Sequence, residues 1–286
     1  MAEGFTSQFH YSTYPSVSPT RPELSLKGKS VLVTGGGYGI GPAIVESFAQ
    51  AGASKIALSG RTESKLKGTA ENFGRKYRST EFHPFVADVT DAKAVKEIFD
   101  TFGVPDVLVN NAGYMAEIKP IVEFDNLRDD WWKAFEPNIL VTATVTQAYL
   151  LARKAAGTTS PGTVLTISTL GVHWGTQLIG VSNYSASKAG QLRMMELFAA
   201  EVGDEVRFVT VHPGAVDTAM SMKSGLKGKL VETDLDMVGN WMVWATANAD
   251  WMDGRFFWLG WDVDELLKKK DEILEKNLLT YTIVGL

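Results

Sequence analysis

The chain contains no cysteine among its 286 residues. Disulfides, thiolate metal sites and cysteine nucleophiles are therefore excluded. Histidine is scarce too: His10, His83, His173 and His212 stand far apart, with no HExxH spacing, and no metal site is expected. No apolar run approaches the roughly 18 residues of a membrane span. Basic residues form no long block, and the formal net charge is −5, which argues against a nucleic-acid surface. The N-terminus has no basic segment leading into an apolar run, so it does not read as a secretory signal. Its Ser/Thr content hints at a transit peptide, but Glu3, Glu23 and a lone Arg21 count against one. The expectation is a soluble cytoplasmic protein.

Apolar residues make up 45% of the chain, enough for one large α/β core. Residues 1–27 are rich in Ser, Thr, Pro and aromatics. Pro15, Pro19 and Pro22 disfavour regular structure there. This stretch is read as an arm laid on a single domain spanning 28–286. From Lys29 onward, short apolar runs alternate with amphipathic stretches, the rhythm of βαβ units. Strands are expected at Ser30–Thr34, Lys55–Ser59, Glu81–Ala87, Val107–Asn110, Gly162–Ser168, Arg207–His212 and Gly254–Leu259. Helices are expected at Pro42–Ala51, Asp91–Phe102 and Ala186–Gly203. A last helix is expected over 262–277, opened by an Asp262/Glu265 capping box. The fold class is α/β: a Rossmann-like, doubly wound parallel sheet of about seven strands with helices on both faces.

The first strand runs into Thr34-Gly35-Gly36-Gly37-Tyr38-Gly39-Ile40-Gly41, followed by Pro42 and a helix. Glycines let the backbone turn tightly and approach a pyrophosphate, while backbone N–H groups and the helix N-terminus face its charge. Gly35, Gly37, Tyr38, Gly39 and Ile40 are thus candidate cofactor contacts. An Asp or Glu at the end of the second strand would bind the ribose 2′-OH of NAD. The sequence has Ser59-Gly60-Arg61 there instead. Arg61 offers a permanently charged fork to a 2′-phosphate, and Ser59 a hydroxyl, so the expected cofactor is NADP(H). Asp88 and Val89 close the third strand, where a carboxylate can meet an adenine amino group. Asn111, Ala112 and Gly113 close the fourth, leaving room beside a cofactor.

Tyr184 and Lys188 stand four apart, on one face of a helix. A neighbouring cation favours the phenolate, so such a pair can exchange a proton with a substrate oxygen. The order of the glycine-rich turn, Asn110-Asn111-Ala112-Gly113, the strand end Ile167-Ser168-Thr169 and Tyr184-x-x-x-Lys188 resembles the classical short-chain dehydrogenase/reductase family over residues 29–220. The aromatic-rich arm and the Trp258–Leu267 ending resemble fungal members with roles in secondary metabolism.

That resemblance implies roles. Tyr184 would be the general acid or base, and Lys188 would lower its pKa and hold the nicotinamide ribose. Ser168 would polarise the substrate oxygen, and Asn138 would help relay a proton to solvent. Pro213, Gly214, Val216 and Thr218 would contact the nicotinamide carboxamide. Two departures stand out. Ser168 lies 16 residues before Tyr184 and Thr169 lies 15 before, against the family's usual 13, so Thr169 remains an alternative hydroxyl. Pro137 directly precedes Asn138 and could bend its helix or start a new one.

Residues 219–240 resemble the family's substrate lid. Met115, Thr169, Trp174, Met220 and Met222 are candidates to line an apolar substrate pocket, although plain core packing explains the thioethers and the indole equally well. A small, fairly apolar ketone or alcohol is the expected partner, and ketoreductase or alcohol dehydrogenase the expected activity. Two alternatives stay open: epimerisation, dehydration or cyclisation coupled to imine reduction on the same fold, and a non-catalytic cofactor-binding regulator. The resemblance also implies a homodimer or homotetramer through the helices carrying Asn138 and Tyr184. Leu192, Met195, Leu197 and Phe198 agree with that.

Overall fold

A computed structural model describes residues 4–173, 179–223 and 230–283. Seven strands form one parallel sheet: β1 Ser30–Thr34, β2 Lys55–Gly60, β3 Glu81–Val86, β4 Val107–Asn110, β5 Gly162–Ile167, β6 Val206–His212 and β7 Arg255–Trp258. Their spatial order is β3-β2-β1-β4-β5-β6-β7. The order reverses between β1 and β4, and a crevice opens at such a point beyond the carboxyl ends of the strands.

Successive strand residues face opposite sides of the sheet. Val31, Val33, Ile56, Leu58 and Phe257 pack with helices α1 (Gly41–Gln50) and α7 (Leu235–Met252). Leu32, Ala57, Leu108, Val164 and Phe208 pack on the other side. There they meet α3 (Ala92–Phe102), α4 (Val141–Ala155) and α5 (Ser182–Val202). With both faces covered, strands read as continuous apolar runs, which is why they are visible in the sequence. Helix α2 (Glu63–Lys76) is mostly exposed and buries chiefly Leu66.

Residues 5–26 lie across the outer side of α7, making turns at Pro15–Val17 and Pro22–Leu24. Val17 and Leu24 are buried, and Asn240 of α7 donates to Thr13 Oγ1 at 2.8 Å. This cover explains a helix apolar on nearly every side, with Met237, Trp241, Met242 and Trp244 all buried. The arm also pairs Phe9 with Trp261, and His10 Nε2 lies 2.8 Å from Asp262 Oδ2.

Several expected elements differ. The C-terminal helix is two, α8 (Val263–Lys268) and α9 (Lys270–Glu275), broken at Lys269. Asp262 caps the Glu265 N–H at 2.9 Å, but the Glu265 carboxylate does not return the bond. It accepts instead from Ser7 N at 2.7 Å, Ser7 Oγ at 2.6 Å and Gln8 N at 3.1 Å, because the arm competes for it. Helix α5 begins at Ser182 rather than Ala186, which puts Tyr184 and Lys188 on one continuous helix. Leu192 and Met195 are buried within the single chain, leaving Leu197 as the exposed apolar residue of that group. The region resembling a lid is also shorter than 219–240. After α6 (Ala219–Lys223), residues from Leu235 belong to α7, and Met237 and Val238 are fully buried.

Candidate active site

A cavity of about 550 Å³ lies at the carboxyl ends of the strands, between the glycine-rich turn and α5. At the turn, Gly35 and Gly36 donate their N–H groups to the Ser59 carbonyl at 2.8 and 3.2 Å. Gly35 has φ 68° and Gly39 φ 59°, a region that favours glycine. A Cβ on Gly41 would stand 2.0 Å from the Gly35 carbonyl oxygen, so the turn can close onto the helix only through glycine. Thr34 locks the turn to the next strand: its Oγ1 donates to Val109 O and accepts from Asn111 N and Ala112 N, both at 3.0 Å. Asn111 returns Nδ2 to Thr34 O at 2.9 Å.

Gly35, Gly37, Tyr38, Gly39 and Ile40 line the cavity, as do Arg61, Val89, Asn111, Ala112 and Gly113. Pro213, Gly214, Val216 and Thr218 close it from beyond β6. Two expected contacts stand elsewhere. Ser59 does not reach the cavity: its side chain is fully buried, and its hydroxyl has no partner. Asp88 also stays off the cavity wall, because its carboxylate folds back onto Thr90, accepting from N at 3.0 Å and Oγ1 at 2.8 Å. Those bonds hold its carboxyl below the usual range, with help from the nearby Arg61. Lys65, in the first turn of α2, was not singled out from the sequence, yet it lines the same end as Arg61. Its ammonium rests 3.7 Å from the centre of the Tyr38 ring.

At the other end stand Tyr184, Lys188, Ser168 and Thr169. Ser168 and Thr169, the two candidate hydroxyls, both line the cavity but are held differently. Ser168 continues the line of β5, donating its N–H to Val211 O at 2.7 Å, and its hydroxyl is buried without a partner. Thr169 is the first residue to leave the sheet; its Oγ1 accepts from Gly171 N at 3.3 Å and lines the cavity with Tyr184. Burial pushes the Tyr184 phenol up to about 12, with the Thr169 hydroxyl pulling the other way. Burial likewise drives Lys188 down to about 7. The expected pairing of phenol and ammonium is also modified: Lys188 Nζ donates to Ile167 O at 2.8 Å and to Gln191 Oε1 at 3.0 Å.

Asn138 does not line the cavity. It is fully buried in a π-helical turn, Glu136–Leu140, in which Pro137 takes an early position. Pro137 thus stands at the opening of the segment entering α4, and Asn138 stays beside α5. Its Oδ1 accepts from Tyr114 N at 2.9 Å, and its Nδ2 donates to Tyr114 O at 2.8 Å and Ser187 Oγ at 3.0 Å. His212 lines the cavity, but burial pushes its imidazole down to about 3, so it is neutral near pH 7. Met115 and Met220 line the cavity wall, Met222 is exposed, and Trp174 lies outside the described residues. Among the described residues no cluster of His, Asp or Glu could hold a metal, and no helix is long and apolar enough to cross a membrane.

Residues 29–228 match the short chain dehydrogenase family. The chain belongs to that family. Among its relatives is a short chain dehydrogenase, mpl6, of Monascus purpureus, 32% identical over 98% of this chain and 97% of that one. Another is the short chain dehydrogenase pigC of Monascus ruber, 33% identical over 96% of this chain and 92% of the relative. A solved short-chain dehydrogenase from Shigella flexneri superposes with a TM-score of 0.72. It is 24% identical, and the match covers 84% of this chain and 93% of that one. As a short-chain dehydrogenase, the chain is an oxidoreductase of a family that uses a nicotinamide dinucleotide. The cavity fits such a cofactor by its own chemistry. Glycine backbone lines one end, and at Gly113 an added Cβ would stand 3.3 Å from Asn138 Oδ1 and 3.6 Å from Lys188 Nζ.

Proposed function

We propose that this short-chain dehydrogenase is an NADP(H)-dependent ketoreductase or alcohol dehydrogenase acting on a small, fairly apolar carbonyl compound or alcohol. The observation that carries the reading is the convergence of the Tyr184 phenol, the Thr169 hydroxyl and the Lys188 ammonium at one end of a cavity whose other end is built from glycine backbone. The bound dinucleotide supplies or accepts the hydride. Tyr184 gives a proton to the substrate oxygen in reduction and takes it back in oxidation. Thr169 steadies that oxygen by a hydrogen bond, the part expected of Ser168. Lys188 presents its charge to the nicotinamide ribose and lowers the cost of the phenolate. Asn138 keeps α5 and the segment after β4 in register.

Preference for NADP(H) is supported by Arg61 and Lys65 on the wall at the glycine-turn end, and by a second strand that ends in Ser59-Gly60 rather than in an acid. An apolar substrate is supported by Met115, Leu170, Val181, Met220 and Leu230 around the reactive end. Assembly into dimers or tetramers is supported by Leu140 and Leu151, exposed along the α4 side, and by Leu197 on α5.

The test is NADPH oxidation with a panel of apolar ketones, run beside NADH and beside charged sugars. Turnover with the ketones and NADPH is the expected result. Turnover confined to charged sugars would overturn the substrate class, and equal use of NADH the cofactor assignment.

A further inference from the structure

Helix α5 turns one apolar stripe inward, with Met195 and Ala199 buried on it. Gln191 stands on the same stripe, one turn before Met195, and is completely buried. An amide at such a place is costly unless every polar atom is paired. Here all are. Gln191 Nε2 donates to the Asn138 carbonyl at 2.7 Å and to Thr142 Oγ1 at 2.8 Å, and Thr142 passes its own proton to the same carbonyl at 3.0 Å. Gln191 Oε1 accepts from Lys188 Nζ at 3.0 Å. Chemistry fixes the orientation of this amide: an ammonium has only donors and a carbonyl only acceptors.

Lys188 has three N–H bonds, and two go to Ile167 O and Gln191 Oε1. The third is left for the cavity that Lys188 lines. We propose that Gln191 is a positioning residue for Lys188: its oxygen holds the buried amine in the protonated form and its fixed amide aims the remaining N–H at the cofactor. Resting on the reading of the cavity as a dinucleotide site, this assigns a task to a residue that touches neither cofactor nor substrate. A relay link must release one proton as it takes another. An amide N–H holds its proton at neutral pH, so Gln191 also separates Lys188 from the Asn138 carbonyl.

Burial works against the charge of Lys188, and an acceptor on the charged form works for it. The titratable groups around it are Tyr184 on its own helix, His212 at the end of β6, and Asp217 and Glu232 on the segment beyond. Arg61 and Lys65 stand at the far end.

The experiment measures NADPH affinity by calorimetry, from about pH 6 to about pH 10, for the wild type, Gln191→Leu and Gln191→Glu. Affinity is expected to fall on the alkaline side as Lys188 loses its proton. That limb should lie about one pH unit lower in Gln191→Leu, which removes the acceptor. It should lie higher in Gln191→Glu, which sets a carboxylate beside the ammonium. If both variants keep the wild-type limb and only melt earlier, Gln191 merely fills space and the inference falls alone. Should Gln191→Leu not fold, the isosteric Gln191→Glu decides by itself. A wild type that binds no dinucleotide at any pH overturns the reading of the cavity, and this inference with it.

Discussion

Arg61 and Lys65 stand at one end of the cavity on the exposed approach to α2, while Tyr184 and Lys188 stand at the other on a helix buried against β5 and the segment before α4. At the first end, charge stays in contact with water, and Lys65 rests on the face of the Tyr38 ring. At the second end, the ammonium is stripped of water and donates to two neutral groups, Ile167 O and Gln191 Oε1. The first arrangement suits recognition of an anion, whose own charge supplies the partner on arrival. The second suits proton exchange, because desolvation brings the two protonation states of an amine close together in energy.

The largest test of this contrast is Tyr184→Phe. Losing the proton donor should lower kcat by about a thousandfold while dinucleotide affinity changes little. Steady-state kinetics with a separate binding titration distinguishes the two; a parallel loss of binding would mean the phenol is structural. At the opposite end, Arg61→Ala should weaken NADPH binding by roughly ten- to a hundredfold and leave NADH binding almost untouched. Raising the salt concentration should narrow that gap, because this end is exposed and screened.

A third test uses stability. His212 is neutral in the fold, with its pKa near 3 against an ordinary 6.5, so the unfolded chain binds the extra proton on acidification. Stability from this group is intact above the unfolded value and is lost as pH falls below it. Between pH 7 and pH 5 the loss is about 2 kcal/mol. Denaturant melts of wild type and His212→Gln at the two pH values should show the variant losing less. Equal losses would place the imidazole in water rather than against Trp258. The smallest effect separates the two hydroxyls: Thr169→Val should lower kcat about tenfold, and Ser168→Ala should leave it within about threefold. The reverse order would return the role to Ser168.

Much of the fold was legible because parallel strands buried on both faces leave unbroken apolar runs, and all seven appear within a residue or two of their expected bounds. Tyr184 and Lys188 were legible because the helical period sets both on one face. The choice between Ser168 and Thr169 was not, since it depends on where the strand stops and the side chains cease to alternate. Gln191 also escaped notice. Its spacing from Lys188 marks a shared helix face, but only the folded chain brings the Asn138 carbonyl to its other side. Lys65 shows the same limit from the opposite direction: a charged residue in an amphipathic helix reads as solvated, and its place on the cavity wall depends on how α2 follows Arg61. The capping box at Asp262 was half right, because a segment more than 250 residues away in sequence takes the Glu265 carboxylate.

The arm's attachment to Trp261, Asp262 and Glu265 has a consequence for the order of events during biosynthesis. Ser7 and His10 leave the ribosome 258 and 252 residues before Glu265 and Asp262, the groups that hold them. Until then the Phe5 and Phe9 rings lack the Trp261 segment on which they settle. Docking of residues 5–10 therefore follows the seating of residues 13–24 on α7, and nascent chains stalled before residue 261 would present the Phe5 and Phe9 rings to chaperones.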